Sequence, residues 1–262
     1  MLLATGAMQA GVRRVTRNFR LRHYLISIGV LAVLAAVSAG CGGGGGTDPG
    51  DDQDLLFEDT FSGVPNGSIP VGWSIITQQA ATEEGPAHWT VQSSRLHQAS
   101  NVQAPNTPGL SHAINYEGTM AVVGDTTWTN ISFQADLIPL DDDGIGVVFR
   151  WRPSAVDPDG NFYRLLMVRD SASDGPKLRL DKRIDGVWTI LDEKTTTYQG
   201  YEENHRYFVE VDMVVSDFTI KLNQTLMFEF EDDSLPGGIV GFFCYAEEGA
   251  DFDNVRVYRL GP

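Results

Sequence analysis

Carboxylates dominate the residues able to do chemistry, and several are spaced to act together. Glu210 and Asp212 alternate within Tyr-Phe-Val-Glu-Val-Asp-Met-Val, so in a strand they share one face. Retaining glycoside hydrolysis needs a nucleophile and an acid roughly 5 Å apart. A third acid is missing here: Val215 stands three residues after Asp212, and Asp217 is too far along. The pair is therefore expected to be ordinary surface residues of a strand. Asp141-Asp142-Asp143-Gly144 and Asp157-Pro158-Asp159-Gly160 look like calcium loops. Neither continues into the EF-hand pattern with its closing Glu, so both are expected as solvated acidic turns. Asp59 shares strand parity with Phe57 and Phe61, and Asp253 shares it with Val255 and Val257. Both carboxylates are predicted to point inward, where each needs a cation, a backbone N–H or an Arg.

Sugar recognition asks for something different: an aromatic face against the pyranose C–H face, with planar polar groups to fix the hydroxyls. Arg150, Tyr163, Arg164 and Trp188 are the candidate glycan-binding set. Arg150 alternates with Phe149 and Trp151, so it is expected on the face opposite them. The same residues also read as core aromatics, with arginines balancing an acidic surface. Among the histidines outside the leader, His88, His97, His112 and His205 are not paired at ligand spacing, and no H-E-x-x-H or G-x-S-x-G occurs. Cys244, between Phe243 and Tyr245, reads as a buried inert thiol.

The elements that position these residues are strands. Ile145-Val147-Phe149-Trp151 alternate with Gly146-Val148-Arg150-Arg152, and Phe218-Ile220-Leu222 with Thr219-Lys221-Asn223. Asp185-Gly186 is a strong hairpin signal between KLRLDKRI and VWTILDEK. Asn223-Gln224 links DFTIKL to TLMFEF, and Pro236-Gly237-Gly238 precedes IVGFFCYA. Many short strands between such turns predict an all-β sandwich or jelly roll over residues 54–262.

Ahead of this domain lies an address. Residues 1–40 carry five Arg and no acid, and an apolar run of 14 residues spans Tyr24–Val37. That is shorter than the roughly 20 residues of a membrane-spanning helix, and it fits a secretory signal. Residues 41–53, with five glycines in succession and then Asp-Pro-Gly-Asp-Asp, are predicted to be a flexible tether. The 262-residue chain has 19 basic and 35 acidic residues, a net −16; without residues 1–40 it is −21. This argues against a nucleic-acid partner and favours bound cations, calcium first among them.

Two resemblances add to this reading. Ala39-Gly40-Cys41 resembles the end of a bacterial lipoprotein signal peptide, with Ser38 where that family prefers Leu. It implies acylation of Cys41 and a lipid anchor in the cell envelope, periplasmic or surface-exposed. Gly42 rather than Asp after the cysteine implies the outer membrane. Residues 55–259 resemble concanavalin A-like, laminin-G-like jelly rolls. The resemblance is carried by Phe57-Glu58-Asp59-Thr60-Phe61, Gly72-Trp73, Asp143-Gly144-Ile145-Gly146-Val147-Val148-Phe149-Arg150 and Phe252-Asp253-Asn254-Val255-Arg256-Val257. It implies a structural Ca²⁺ shared by the first and last strands, with Asp59 and Asp253 as its ligands. It also implies a polysaccharide or glycoconjugate partner, bound without catalysis. Family-16 glycoside hydrolases, whose E-x-D-x-x-E signature Glu210 and Asp212 begin, and polysaccharide lyases share the fold, as do protein-binding adhesion modules. A glycan-active enzyme and an adhesion module are thus the alternatives.

Overall fold

Strands form where the sequence alternates, and one β-sheet differs from the other in how many of its faces are covered. The computed structural model describes residues 54–169 and 175–261. The expected signal segment, Cys41 and the tether lie outside the described residues. The first strands are β1 (Leu55–Asp59), β2 (Ser74–Thr77), β3 (Trp89–Gln92), β4 (Arg95–Gln98) and β5 (Thr119–Val123). Then come β6 (Ile131–Pro139), β7 (Gly144–Arg152), β8 (Asn161–Val168), β9 (Lys177–Ile184) and β10 (Val187–Lys194). The last are β11 (Tyr207–Val214), β12 (Asp217–Leu222), β13 (Thr225–Glu231), β14 (Ile239–Tyr245) and β15 (Ala250–Arg259).

These strands make two antiparallel sheets. The first runs β13-β12-β11-β6-β15-β4-β3. Along one edge of β15, β4 pairs with Ala250–Phe252 and β1 with Val255–Tyr258. The second runs β10-β9-β8-β7-β14-β5-β2. Phe133, Val211, Phe252 and Val257 from the first sheet meet Val147, Leu165 and Phe242 from the second in one core. A second cluster covers the outer face of the second sheet: Ala104, Ala113 and Tyr116 pack on Met120, Phe162, Leu166 and Phe243. Hence every residue of β14 is buried, whereas β11 alternates between buried and half-buried.

The expected turns form as their residues require. Asp185 (φ 48°) and Gly186 (φ 80°) are both left-handed, the type I′ geometry whose twist suits a two-residue hairpin. Asn223 (φ 49°) and Gln224 (φ 65°) do the same between β12 and β13.

Two bulges overturn the parity expected for two site residues. Between Asp253 and Arg256, β15 advances three residues while β6 advances two, with Asn254 at φ 52°. Phe252 and Val255 both face the core, so Asp253 faces outward, opposite Asp136. Between Phe149 and Arg152 the same slip occurs in β7, with Arg150 at φ 51°. Arg150 therefore turns inward, its guanidinium 4.6 Å over the Phe218 ring and bonded to the carbonyls of Leu235 and Thr129.

Phe242 links the sheets, with ring centroids 5.6 Å from Trp73 and 4.2 Å from Phe252. Phe242→Ala is expected to cost about 3–5 kcal/mol in urea unfolding. A loss below about 1 kcal/mol would show that the core does not depend on this stack.

Candidate functional site

The outer face of the second sheet gathers charge and then closes over it. On β8 and β9, Arg164 stands opposite Asp181 and grips it with two bonds, of 3.1 and 2.7 Å. Its remaining donors reach the carbonyls of Tyr116 (3.0 Å) and Asn115 (2.8 Å). Arg179 donates to the Ile114 carbonyl at 3.1 Å and lies 2.8 Å from Asp181. Three successive carbonyls of the 99–118 connection are thus held by two guanidinium groups. Arg183 binds Asp157 with two bonds and meets Asp159 at 2.9 Å. Trp188 lies over Arg164 at 4.3 Å and donates its indole N–H to Glu117. Arg164 and Asp181 have no exposed side-chain surface. Burial pushes the Arg164 guanidinium below its ordinary value, and Asp181 offsets this only in part.

The expected glycan-binding set is therefore split. Arg150 and Tyr163 lie inside the sandwich, where Tyr163 stacks on Phe149 and its hydroxyl donates to Asp232 at 2.6 Å. Arg164 and Trp188 do come together, but as parts of a sealed ion network. The expectation that arginines and aromatics here meet a ligand is corrected: the bulge turns Arg150 inward, and residues 112–117 cover Arg164. Asp59 also points inward, and its partners are the Phe61 N–H (2.8 Å) and the Trp73 indole N–H (2.9 Å). Asp59 and Asp253 thus leave the first sheet on opposite faces.

The outward face of the first sheet is polar, with Asp136 buried at its centre and Phe208 and Asp253 half-buried beside it. Its register sets the side chains in transverse files. One runs Phe208–Asp136–Asp253 over β11, β6 and β15. A second runs Lys221–Glu210–Gln134–Arg256–Glu58. A third runs His97–Asp251–Ile138. Neighbours along a file are roughly 5 Å apart, and successive files on one face roughly 7 Å. Most of the polar groups are aimed by one another. Asp136 accepts from Arg206 (2.9 Å) and Asn254 (2.7 Å), and Asp251 meets His97 Nδ1 at 2.8 Å and accepts from Arg95 at 3.2 Å. Burial alone would raise the Asp251 carboxyl, but His97 and Arg95 outweigh it and hold it below the ordinary value. Asp253 is raised, by burial first and with Asp136 adding to it.

Glu210 and Asp212 do share this face, as expected, and Lys221 lies between them at 2.5 and 3.4 Å. Val215, in the third position, is at the exposed β11–β12 turn. The third position of the hydrolase signature is thus an apolar turn residue. Sequence reasoning missed Phe208, although the alternation in β11 carries the signal: an aromatic in phase with Glu210 and Asp212. Asp136, Asp251 and His97 carried no signal, because only the sheet register brings them together.

At one end of this face the turn Asp141–Asp143 brings its carboxylate oxygens within 4.8 Å of one another, with Asp141 and Asp143 half-buried. It is tied to Glu247, which is fully buried and accepts the N–H groups of Leu140 and Asp141. The Tyr201 hydroxyl lies 3.0 Å from the Asp143 carbonyl and 3.1 Å from Glu247. The two acceptors compete for one hydroxyl proton, and a proton on Glu247 would relieve that competition. Burial accordingly pushes the Glu247 carboxyl up to about 8.

Three outcomes are expected. Arg164→Ala should cost about 3–5 kcal/mol, and Arg164→Met with Asp181→Leu should not restore stability, because it still leaves Arg179 and the carbonyls of Asn115 and Tyr116 without their partners; a double variant at near wild-type stability would contradict the clamp. The folded state holds the Glu247 proton above the unfolded value, so its contribution is complete in acid and lost as pH rises toward about 8. Glu247→Gln should flatten melting temperature against pH over that window, and an unchanged profile would refute the assignment. Asp59→Ala should lower stability by about 1–3 kcal/mol equally with Ca²⁺ and with EDTA, because it orphans a buried indole N–H. A loss seen only with Ca²⁺ would return Asp59 to a metal.

No family model and no curated protein matches the chain. Solved structures do. A carbohydrate-binding module, CBM66 from Bacillus subtilis, matches with TM-score 0.52 at 15% identity, over 74% of this chain and 99% of that one. A Bacillus subtilis protein of unknown function with a galectin-like fold matches with TM-score 0.53 at 12% identity, over 79% and 96%. SCLam, a non-specific endo-β-1,3(4)-glucanase of family GH16, matches with TM-score 0.51 at 10% identity, over 79% and 91%. Together with the two antiparallel sheets, these likenesses show an all-β, concanavalin A-like jelly-roll sandwich with galectin-like neighbours.

Proposed function

We propose that the protein recognises a glycan, without cleaving it, on the outward face of its first sheet. The observation that carries this reading is the file Phe208–Asp136–Asp253, flanked by Arg206, Asn254 and the His97–Asp251–Arg95 group. Phe208 is half-buried on a polar face, its strand neighbours Tyr207 and Val209 being turned to the core. A ring so placed offers a flat apolar surface to pyranose C–H groups. The carboxylates and guanidinium groups around it are oriented by each other, which suits bidentate bonding to sugar hydroxyls. The likeness to a carbohydrate-binding module and a glucanase is consistent with a glycan ligand.

The anchor belongs to the same proposal. Acylation of Cys41 would hold the domain at the outer membrane on the residue 42–53 tether, and several acyl chains suffice at roughly 0.8 kcal/mol per buried CH₂. Cys41→Ala should move the protein from the membrane to the soluble fraction, and unchanged sedimentation with the membrane would rule the anchor out.

Native gels cast with single polysaccharides test the recognition. At least one polysaccharide should retard the wild type without release of reducing ends. Phe208→Ala should lower that affinity by about tenfold, as expected for loss of roughly 1.4 kcal/mol of stacking. Retardation indifferent to Phe208→Ala would refute the face, and reducing ends accumulating would favour the enzyme reading.

A further inference from the structure

The end of the sandwich where β1 begins and β15 finishes holds two adjoining cavities that the sheet face does not use. The larger, about 440 Å³, lies between Trp128, Asp125 and Arg259; the smaller, about 360 Å³, lies between Val215, Ser216 and Pro236. Thr129 and Asn130 line both, so the two share a wall. Each volume falls within the roughly 300–1,000 Å³ of small-molecule sites.

The walls are fixed before any ligand arrives. Thr127 donates its N–H to the Asp125 carboxylate at 2.8 Å, and Trp128 donates its N–H to the Asp125 carbonyl at 3.0 Å. Gly238 donates to the Trp128 carbonyl at 3.0 Å. Gly124, at φ 128°, lets the Trp128 ring lie against its backbone, where any Cβ would collide with the ring. Phe57 meets the same indole at 6.3 Å between ring centroids. Asn130 has its side-chain oxygen committed to the Val215 N–H at 2.9 Å, which leaves its NH₂ as donors on the shared wall.

The chemistry selects a ligand class. An immobilised indole beside carboxylate, amide and hydroxyl groups matches the needs of a sugar ring, apolar on one side and hydroxylated at the rim. Asp125 and Asp233 line the cavities, and the cation, Arg259, is already paired with Asp54 at 2.8 Å. That balance opposes a uronic acid or any other anion. We propose that this end groove is a second binding site, for a short neutral oligosaccharide, with one ring stacked on Trp128 and the next unit lying past Asn130.

The test uses the full-length protein and indole fluorescence with four probes: cellotriose, laminaritriose, N,N′-diacetylchitobiose and trigalacturonate. At least one neutral probe should give a saturable signal that trigalacturonate neither reproduces nor displaces. Trp128→Ala should weaken that binding tenfold or more, measured by calorimetry because the variant loses an indole. Trp128→Phe should retain part of the affinity. Asp125→Asn keeps the oxygen that accepts Thr127 and should lose severalfold. In the Phe208→Ala background, Trp128→Ala should still weaken short-probe binding tenfold or more. Absence of binding by all three neutral probes, tight binding of trigalacturonate, or full affinity in folded Trp128→Phe and Asp125→Asn together would overturn the second site. Loss of short-probe binding in Phe208→Ala alone would assign these ligands to the sheet face instead.

Discussion

The pairing of Arg164 with Asp181 is the interaction on which the arrangement of the molecule depends. An arginine without exposed surface is tolerable only with its donors satisfied, and here one carboxylate and two backbone carbonyls do this. Those carbonyls belong to Asn115 and Tyr116, so the requirement of a buried charge fixes a long connection against the second sheet. Arg179 and the Glu117–Trp188 bond extend the clamp on either side. Once that connection is down, Tyr116 and Ala113 can pack on Phe243 and Leu166, and the second sheet is covered on both faces.

Asymmetry between the sheets follows. The second sheet has apolar residues on both sides of β14 and spends its polar side chains on holding its own cover. The first sheet has one face covered by the core; on the other, cross-strand register sorts polar side chains into files, most of them half-buried and Asp136 buried. Side chains held this way need no loop to orient them, since the strands set the spacing and neighbouring ions set the direction. The bulge at Asp253–Asn254 contributes to this order. It places Asp253 outward beside Asp136, while the Asn254 amide reaches Asp136 from the same strand.

Much of the fold could be read from period and turn chemistry, because these are local. The Asp185-Gly186 and Asn223-Gln224 hairpins, the alternation of β7, β11 and β12, and the closing strand lie where their residues predict. The site was far less readable, for two physical reasons. A bulge adds one residue and inverts the parity of what it moves, and nothing in Val-Val-Phe-Arg-Trp-Arg or Asp-Phe-Asp-Asn-Val announces it. Arg150 and Asp253 were displaced for that reason. The second reason is that burial depends on what lies above a strand, and residues 99–118 carry no periodic signal for where they will settle. Arg164 and Trp188 do meet on one face of the sheet, yet neither that meeting nor their cover was visible in the chain. Glu210 and Asp212 were the opposite case: the missing third acid at Val215 was visible in the chain, and they stand as a Lys221-bridged surface pair.

The central claim is that ligand meets the first sheet while the second stays sealed. A map of backbone amide chemical shifts, recorded as the protein is titrated with a fragment of the polysaccharide it retains, addresses this directly. The account predicts perturbations at Phe208, Asp136, Asp251 and Asp253, with Arg164, Asp181 and the amides of residues 114–117 unmoved. Perturbations centred on Trp188 and residues 114–117, with the first sheet silent, would contradict it.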